Sequence, residues 1–374
     1  MVRINLMEVH LKSLNPNEQK MKLIYLILLL TLNISCVEKK STEKETTKSE
    51  LVVTSKTDTL KFTSGIRAIF QDSKGNYWLG SHNEGVTFYN GKSFEYFTTN
   101  EGLANNQILS IQEDTKGKIW IGTSNGVSVY DKGTLTNYIT NTKEPKYEWN
   151  KTTGDLWFYA TVEDGINRFD GQHMNYLVFP KPQKQISGNT YGVTGISKDK
   201  EGKVWIATYS ALFSYDGKVI DMFHDEKLSL KSNELLHIRS VLADSKGRVW
   251  VGNNGIGVLL INGDTITHFS KEQGKLIPMN EFKANTKTKQ FAKNTGLQSV
   301  FAIEEDAEGN IWFGDRDTGA WNYDGKTLTN YKIDSKLNAQ MIWSIYKDNK
   351  NNLLFGMAEG GVYKLNGKTF DKQF

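Results

Sequence analysis

Reactive side chains are sparse in this chain, and most of them fall in short clusters between strands. The six histidines are His10, His82, His173, His224, His237 and His268, and no pair has metal-ligand spacing, so neither a metal nor another cofactor is expected. His82-Asn83-Glu84 places an imidazole two residues from a carboxylate, the minimal pair for general acid-base work. Tyr147-Glu148-Trp149, Tyr159, Tyr209, Asn253-Asn254 and Asp315-Arg316-Asp317 set aromatic faces beside carboxylates and amides. Such a mixture suits sugar rings or peptide side chains, and these thirteen residues are the candidate ligand-binding set. A single His–carboxylate pair falls short of a catalytic constellation, so no catalytic residue is assigned. Between residues 271 and 295, Lys271, Lys275, Lys283, Lys287, Lys289 and Lys293 outnumber Glu272 and Glu281. That segment is either a solvated basic loop or an attractor of anionic glycans and headgroups.

These clusters must be carried by a repeated unit. Trp78, Trp120, Trp157, Trp205, Trp250 and Trp312 mark its second strand, and Leu354 takes the seventh slot. Three residues before each stands Gly75, Gly117, Gly154, Gly202, Gly247 or Gly309, with Asn351 as the seventh. Six residues before stands Asp72, Asp114, Asp199, Asp244, Asp306 or Asp348; the third unit has Lys151 instead. The Asp is read as a turn former and the Gly as the residue that tolerates positive φ there. Asn90-Gly91, Asp170-Gly171, Asp216-Gly217, Asn262-Gly263, Asp324-Gly325 and Asn366-Gly367 supply a second turn, suited to a type I′ hairpin. Two hairpins per unit give four strands. Seven units predict an all-β, seven-bladed β-propeller of four-stranded antiparallel blades over residues 65–374. The Trp rings should fill the wedges between blades. Ala68, Ser110, Gly195, Ser240, Ala302 and Ser344 are the small residues expected where innermost strands crowd the axis, and Tyr147 holds that slot in unit three.

In a propeller the loops from second to third strand, and from one blade to the next, share a face. The Asp-x-x-Gly and Asn-Gly turns occupy the other. All thirteen candidate residues are expected on the first, variable face, the better place for a site.

A formal net charge of +4 gives no reason to expect nucleic acid as a partner, and no P-loop or zinc-finger spacing occurs. One cysteine, Cys36, leaves no disulfide to form within the chain. It follows Met21-Lys22 and the apolar run Leu23 to Leu32, too short for a relaxed membrane span and of the right length for an export signal. Residues 1–36 resemble a bacterial lipoprotein signal, which implies cleavage before Cys36 and lipidation of its thiol. Glu8 and Glu18 do not suit the start of a signal, so translation is expected from Met21. Residues 37–64 begin as a tether rich in Lys, Glu, Ser and Thr and end in a possible extra strand, Leu51-Val52-Val53 or Leu60-Lys61-Phe62.

The units resemble the two-component regulator propeller repeat. Asp114-Thr-Lys-Gly-Lys-Ile-Trp-Ile-Gly-Thr followed by Gly126 and Tyr130 is the nearest copy, Asp306 to Gly325 is another, and Gly102-Leu103-Ala104-Asn105-Asn106 matches its linker. The resemblance implies a periplasmic, sensor-type propeller; no kinase or other output segment is expected after Phe374. The expected protein is a monomeric, lipid-anchored module of the bacterial cell envelope, on its periplasmic face or at the cell surface, that binds a glycan or an envelope protein. The alternative is a propeller enzyme, a lyase or lactonase resembling the streptogramin lyases, working through a His/carboxylate pair on the variable face.

Overall fold

Seven antiparallel sheets follow one another along the chain and pack in sequence into a closed ring, the seven-bladed β-propeller. The computed structural model describes residues 54–160, 164–181, 190–231, 234–290, 293–337 and 340–374. Cys36 and the signal segment lie outside them. The innermost strands are Ile66–Gln71, Ile108–Glu113, Val193–Lys198, Ile238–Ala243, Val300–Glu305 and Ile342–Lys347.

The repeated Asp does two things at once. Its Oδ1 accepts backbone N–H bonds across the turn, as Asp72 does from Lys74 and Asn76, while the turn Gly sits at positive φ. Its Oδ2 accepts the indole N–H of the Trp six residues on, at 3.2 Å for Trp78, 2.9 Å for Trp120, 3.3 Å for Trp205, 2.8 Å for Trp250 and 2.9 Å for Trp312. A buried indole needs such an acceptor, which is why the two residues recur together. In blade seven Leu354 offers no N–H, and Asp348 instead accepts the Tyr77 hydroxyl of blade one at 2.6 Å. In blade three Lys151 replaces the Asp, and the buried Trp157 indole has no partner among the described residues.

Each Trp also reaches across to the next blade: Trp78 lies 5.2 Å from Tyr130, Trp120 5.9 Å from Phe158 and Trp312 5.7 Å from Phe355. Near the axis, backbones approach so closely that each small residue pairs with a Gly or Ala, as in Ala68↔Gly80, Gly195↔Ala207 and Ser240↔Gly252. A Cβ on Gly252 would stand 2.8 Å from the Val300 carbonyl of the next blade.

Among the described residues no shared sheet closes the ring. The described extra strand is Lys56–Thr57, which pairs with Phe94–Phe97 as a fifth, outermost strand of blade one; Leu60 to Phe62 forms no strand, and Leu51 to Val53 lie outside the described residues. Blades one and seven are joined by Ser344 Oγ donating to Ile66 O at 2.9 Å, Gln71 N donating to the Tyr346 hydroxyl at 3.0 Å, and Phe374 packing edge-on against Tyr77, Tyr89 and Phe94.

Blade three departs from the pattern. Its sheet has three strands, Leu156–Tyr159, Gly165–Phe169 and Met174–Val178, with no innermost strand among the described residues. Tyr147 therefore does not occupy an inner-strand slot. The preceding segment runs along the outside of the blade, where Lys146 bridges Leu177 of the outermost strand in parallel. Side chains satisfy the edge left bare: Gln112 Nε2 of blade two donates to Trp157 O at 2.8 Å, and the Lys198 ammonium of blade four to Asp155 O. Turn ordering falls to a buried ion pair, Arg168 Nε to Asp155 Oδ2 at 2.7 Å.

The long connection from blade five to blade six is partly helical. Helix α1, Phe269–Glu272, buries Phe269, and helix α2, Met279–Lys287, buries Phe282 and Asn285. It is a docked cap: Lys271, Lys283, Lys287, Lys289 and Lys293 are exposed, and Lys275 is half-buried over the Trp321 ring.

Candidate functional site

The six innermost strands share one irregularity. Pairing steps from Ile66↔Ser81 to Ala68↔Gly80 and repeats that shift at residues 108–110, 193–195, 238–240, 300–302 and 342–344. One residue per blade is thus left over by a β-bulge, which re-aims its side chain. The six are Arg67, Leu109, Thr194, Arg239, Phe301 and Trp343, and all line a cavity of about 540 Å³ at the axis. The bulge explains how a long side chain leaves a position flanked by core residues and the crowded small slot.

Blade three contributes from its second strand. Tyr159 holds the position where other blades need Gly or Ala; without an inner strand its ring has space, and its hydroxyl donates to Thr194 O at 3.2 Å. His82, Gln107 and Tyr209 complete the variable-face side of the lining.

The arginines dominate the electrostatics. Arg67 lies over the Trp343 ring, 5.4 Å from its centroid, and Arg239 lies over Phe301 at 4.4 Å and Tyr209 at 5.4 Å. Arg67 Nη1 meets His82 Nδ1 at 3.4 Å, and Arg239 Nη1 reaches the Tyr209 hydroxyl at 3.4 Å. No Asp or Glu is among the lining residues. Burial, opposed in part by Tyr159 and assisted by the charge of Arg239, pulls the Arg67 pKa below its ordinary value.

Two donors face His82 Nδ1, Arg67 at 3.4 Å and Gln107 Nε2 at 3.3 Å, which fits a neutral ring with its proton on Nε2. Burial and then the Arg67 charge hold the His82 pKa down. His237 repeats the arrangement with Asn254 Nδ2 at 3.2 Å from Nδ1, and burial and Arg239 lower its pKa too.

A second cavity of about 500 Å³ adjoins the first at Tyr209. It is lined by His237, Asn254, Leu236 and Ile256 of the propeller and by Met279, Phe282 and Lys283 of α2. Helix α2 thus walls one side of the variable face.

Of the thirteen candidate residues, His82, Tyr159 and Tyr209 come together at the channel, and Asn254 joins Tyr209 in the neighbouring cavity. Asn253 is fully buried with its carboxamide unpaired among the described residues. Glu84 does not pair with His82; its carboxylate accepts from the backbone and hydroxyl groups of Thr63 and Ser64 and fastens the N-terminal segment, leaving Asn83 exposed. Asp315 is buried under N–H bonds from Gln298, Ser299, Asp317 and Thr318, its carboxyl pushed up to about 6 by burial and by Asp317. Arg316 pairs with Asp317 at 2.6 Å and lies over Phe282, so this trio anchors the cap. Tyr147 and Glu148 are exposed on the outside of blade three, and Trp149 is packed between Trp157, Phe179 and Tyr215. Those three stand apart from the channel because the segment bearing them never enters the blade's inner edge. Arg67, Arg239, Phe301 and Trp343 escaped sequence reading; their one signal is a bulky or charged residue directly before each small slot.

Three segments of the chain, residues 61–83, 102–125 and 296–317, match the two component regulator propeller family, so these segments are repeats of that type. Its fold is shared with the extracellular domains of two hybrid two component systems of B. thetaiotaomicron. Each is 21% identical over 83% of this chain, with TM-scores of 0.61 and 0.59. The chain spans 40% and 39% of the length of those domains. Virginiamycin B lyase of Staphylococcus aureus is also similar, at 16% identity and TM-score 0.61, with 83% of this chain and 98% of the lyase aligned. No curated protein sequence matches the chain.

Proposed function

We propose that the protein is a sensor-like binding module of the bacterial cell envelope, without catalytic activity, whose glycan or protein ligand enters the variable-face mouth of the central channel. The observation that carries this reading is the ring of six bulge-extruded side chains around a cavity of about 540 Å³, within the size range of small-molecule sites. The propeller repeats and the extracellular origin of the similar domains support the location. A lipid on Cys36 would tether the module through the polar residues that follow. Two measurements test the reading. Glycan-array and envelope pull-down binding should be lost in Trp343→Ala and kept in Trp149→Phe; retained binding in the former refutes the channel mouth. Cys36→Ser should release the protein from membranes, and unchanged membrane retention refutes the anchor.

A lyase reading has one observation in its favour beyond the shared fold, the two neutral imidazoles His82 and His237 on the variable face. Against it, Glu84 is committed to Thr63 and Ser64, and no carboxylate lines the channel cavity. Incubation with quinupristin, followed by mass spectrometry, separates the two: a cleaved product replaces the binding reading with an enzymatic one.

A further inference from the structure

The protein uses arginine sparingly. Of 46 basic residues only six are Arg: Arg3, Arg67, Arg168, Arg239, Arg248 and Arg316. Among the five described, three are ion-paired with an Asp at 2.6–2.7 Å: Arg168 with Asp155, Arg248 with Asp244, and Arg316 with Asp317. The other two, Arg67 and Arg239, have no carboxylate partner among the described residues, and both project into the same cavity. Each makes one side-chain contact to a polar group, long at 3.4 Å, which leaves most of its five N–H donors to the channel.

Their setting is built. Each guanidinium is extruded by a bulge and laid on an aromatic ring of an adjoining blade, Arg67 on Trp343 and Arg239 on Phe301. Contact with the ring restrains each group while most of its N–H donors stay unclaimed by the protein, the pre-organisation that bidentate recognition of an oxyanion uses. Two cations that share a cavity away from water repel; burial lowers the Arg67 pKa first, and the Arg239 charge adds to that. An anion between them removes that repulsion. The remaining lining is neutral, with Tyr159, Tyr209 and Thr194 offering ring faces and hydroxyls.

From this arrangement we infer that the channel mouth is an oxyanion site for an acidic saccharide, whose carboxylate or sulfate is held between Arg67 and Arg239 while its ring meets Tyr159 and Tyr209. The inference rests on the reading of the channel mouth as the ligand site. The recessed cavity favours a compact ligand over an extended peptide. Each innermost strand is the last of its sheet, but neighbouring ones crowd at the axis, where a Cβ on Gly195 would stand 3.2 Å from Val241 N. Gln112 and Lys198 seal the edge of blade three, so little room is left at the axis for an added peptide strand.

The test is calorimetric titration of the full chain with digalacturonate, a sulfated disaccharide and a neutral galactose disaccharide. Wild type, R67M/R239M, R239K and W343A are compared, with folding checked by circular dichroism. An acidic disaccharide should bind about 30-fold or more tightly than the neutral one, the scale of two charge-assisted contacts. R67M/R239M should erase that preference, and R239K, which keeps charge but loses the fork, should weaken it about tenfold. Should the double variant misfold, R239K alone decides, and full affinity there overturns the inference. Preference for the carboxylate or for the sulfate identifies the source, and either supports the oxyanion site. Equal affinity for acidic and neutral sugars, with both lost in W343A, overturns the oxyanion inference and leaves the channel reading intact. Saccharide binding that W343A does not change overturns both, and binding of none of the three disaccharides overturns the saccharide.

Discussion

Gln112 of blade two donates its carboxamide N–H to the carbonyl of Trp157 at 2.8 Å, the place where an innermost strand of blade three would otherwise bond. One side chain thus stands in for part of a strand. Gln112→Leu should leave that carbonyl without a partner and lower unfolding free energy by about 1–3 kcal/mol. Chemical denaturation of the variant against wild type measures it, and an unchanged midpoint would show that water serves equally well.

The Asp–Trp latch makes a second prediction. Asp244 holds two turn N–H groups, the Trp250 indole at 2.8 Å and Arg248 at 2.6 Å. Asp244→Ala should cost about 3 kcal/mol, since it strands a buried indole and an arginine together. Lys151→Ala, at the equivalent slot of blade three, has no carboxylate to lose and should cost less than about 1 kcal/mol. Equal costs at the two slots would contradict the latch.

Glu304, on the innermost strand of blade six, gives a pH signature. Burial holds its carboxyl up to about 7, opposed by the Glu305 backbone N–H bond and by Lys347 and assisted slightly by the Glu305 charge. Between its ordinary value and 7 the folded state keeps a proton that the unfolded chain has released, so stability falls as pH rises through that window and levels off above it. Glu304→Gln should flatten the profile and raise stability at pH 8 by about 2 kcal/mol relative to wild type. An identical pH slope in the variant would remove Glu304 as the source.

His82 should not gate binding near neutrality. Its pKa is already lowered by burial and by Arg67, so the imidazole is neutral above pH 7 and anion affinity should stay constant from pH 7 to 8.5. Below the lowered pKa a third positive charge joins the arginines and affinity should rise. Affinity that falls on acidification, or that persists in rising after His82→Gln, would contradict this assignment.

The fold was legible because Asp72–Gly75–Trp78 and its copies encode a turn, a positive φ and a buried indole with its acceptor at fixed spacing. Three departures in unit three were also legible: Lys151 for Asp, Tyr159 for Gly and Tyr147 for a small residue. In the sequence they are departures from the repeat; in the structure they coincide with a blade that has no innermost strand among the described residues. Tyr159 is possible only where no inner backbone lies beneath it, and Lys151 leaves the Trp157 indole unpaired. The channel residues were hidden for a different reason. Arg67, Arg239, Phe301 and Trp343 sit inside strands, and only the bulge, a three-dimensional feature, turns them to the axis. His82 and Tyr209 could be found because loop residues on the variable face need no such rearrangement.

The most direct test of the channel mouth as ligand site is ¹⁹F NMR of protein labelled with 5-fluorotryptophan, titrated with digalacturonate. The Trp343 resonance, beneath Arg67 in the channel, should shift in proportion to occupancy, while that of Trp149, packed between blades three and four, should stay in place. A saturating shift at Trp149 with Trp343 unmoved would put the ligand on the outer side of blade three and contradict the account.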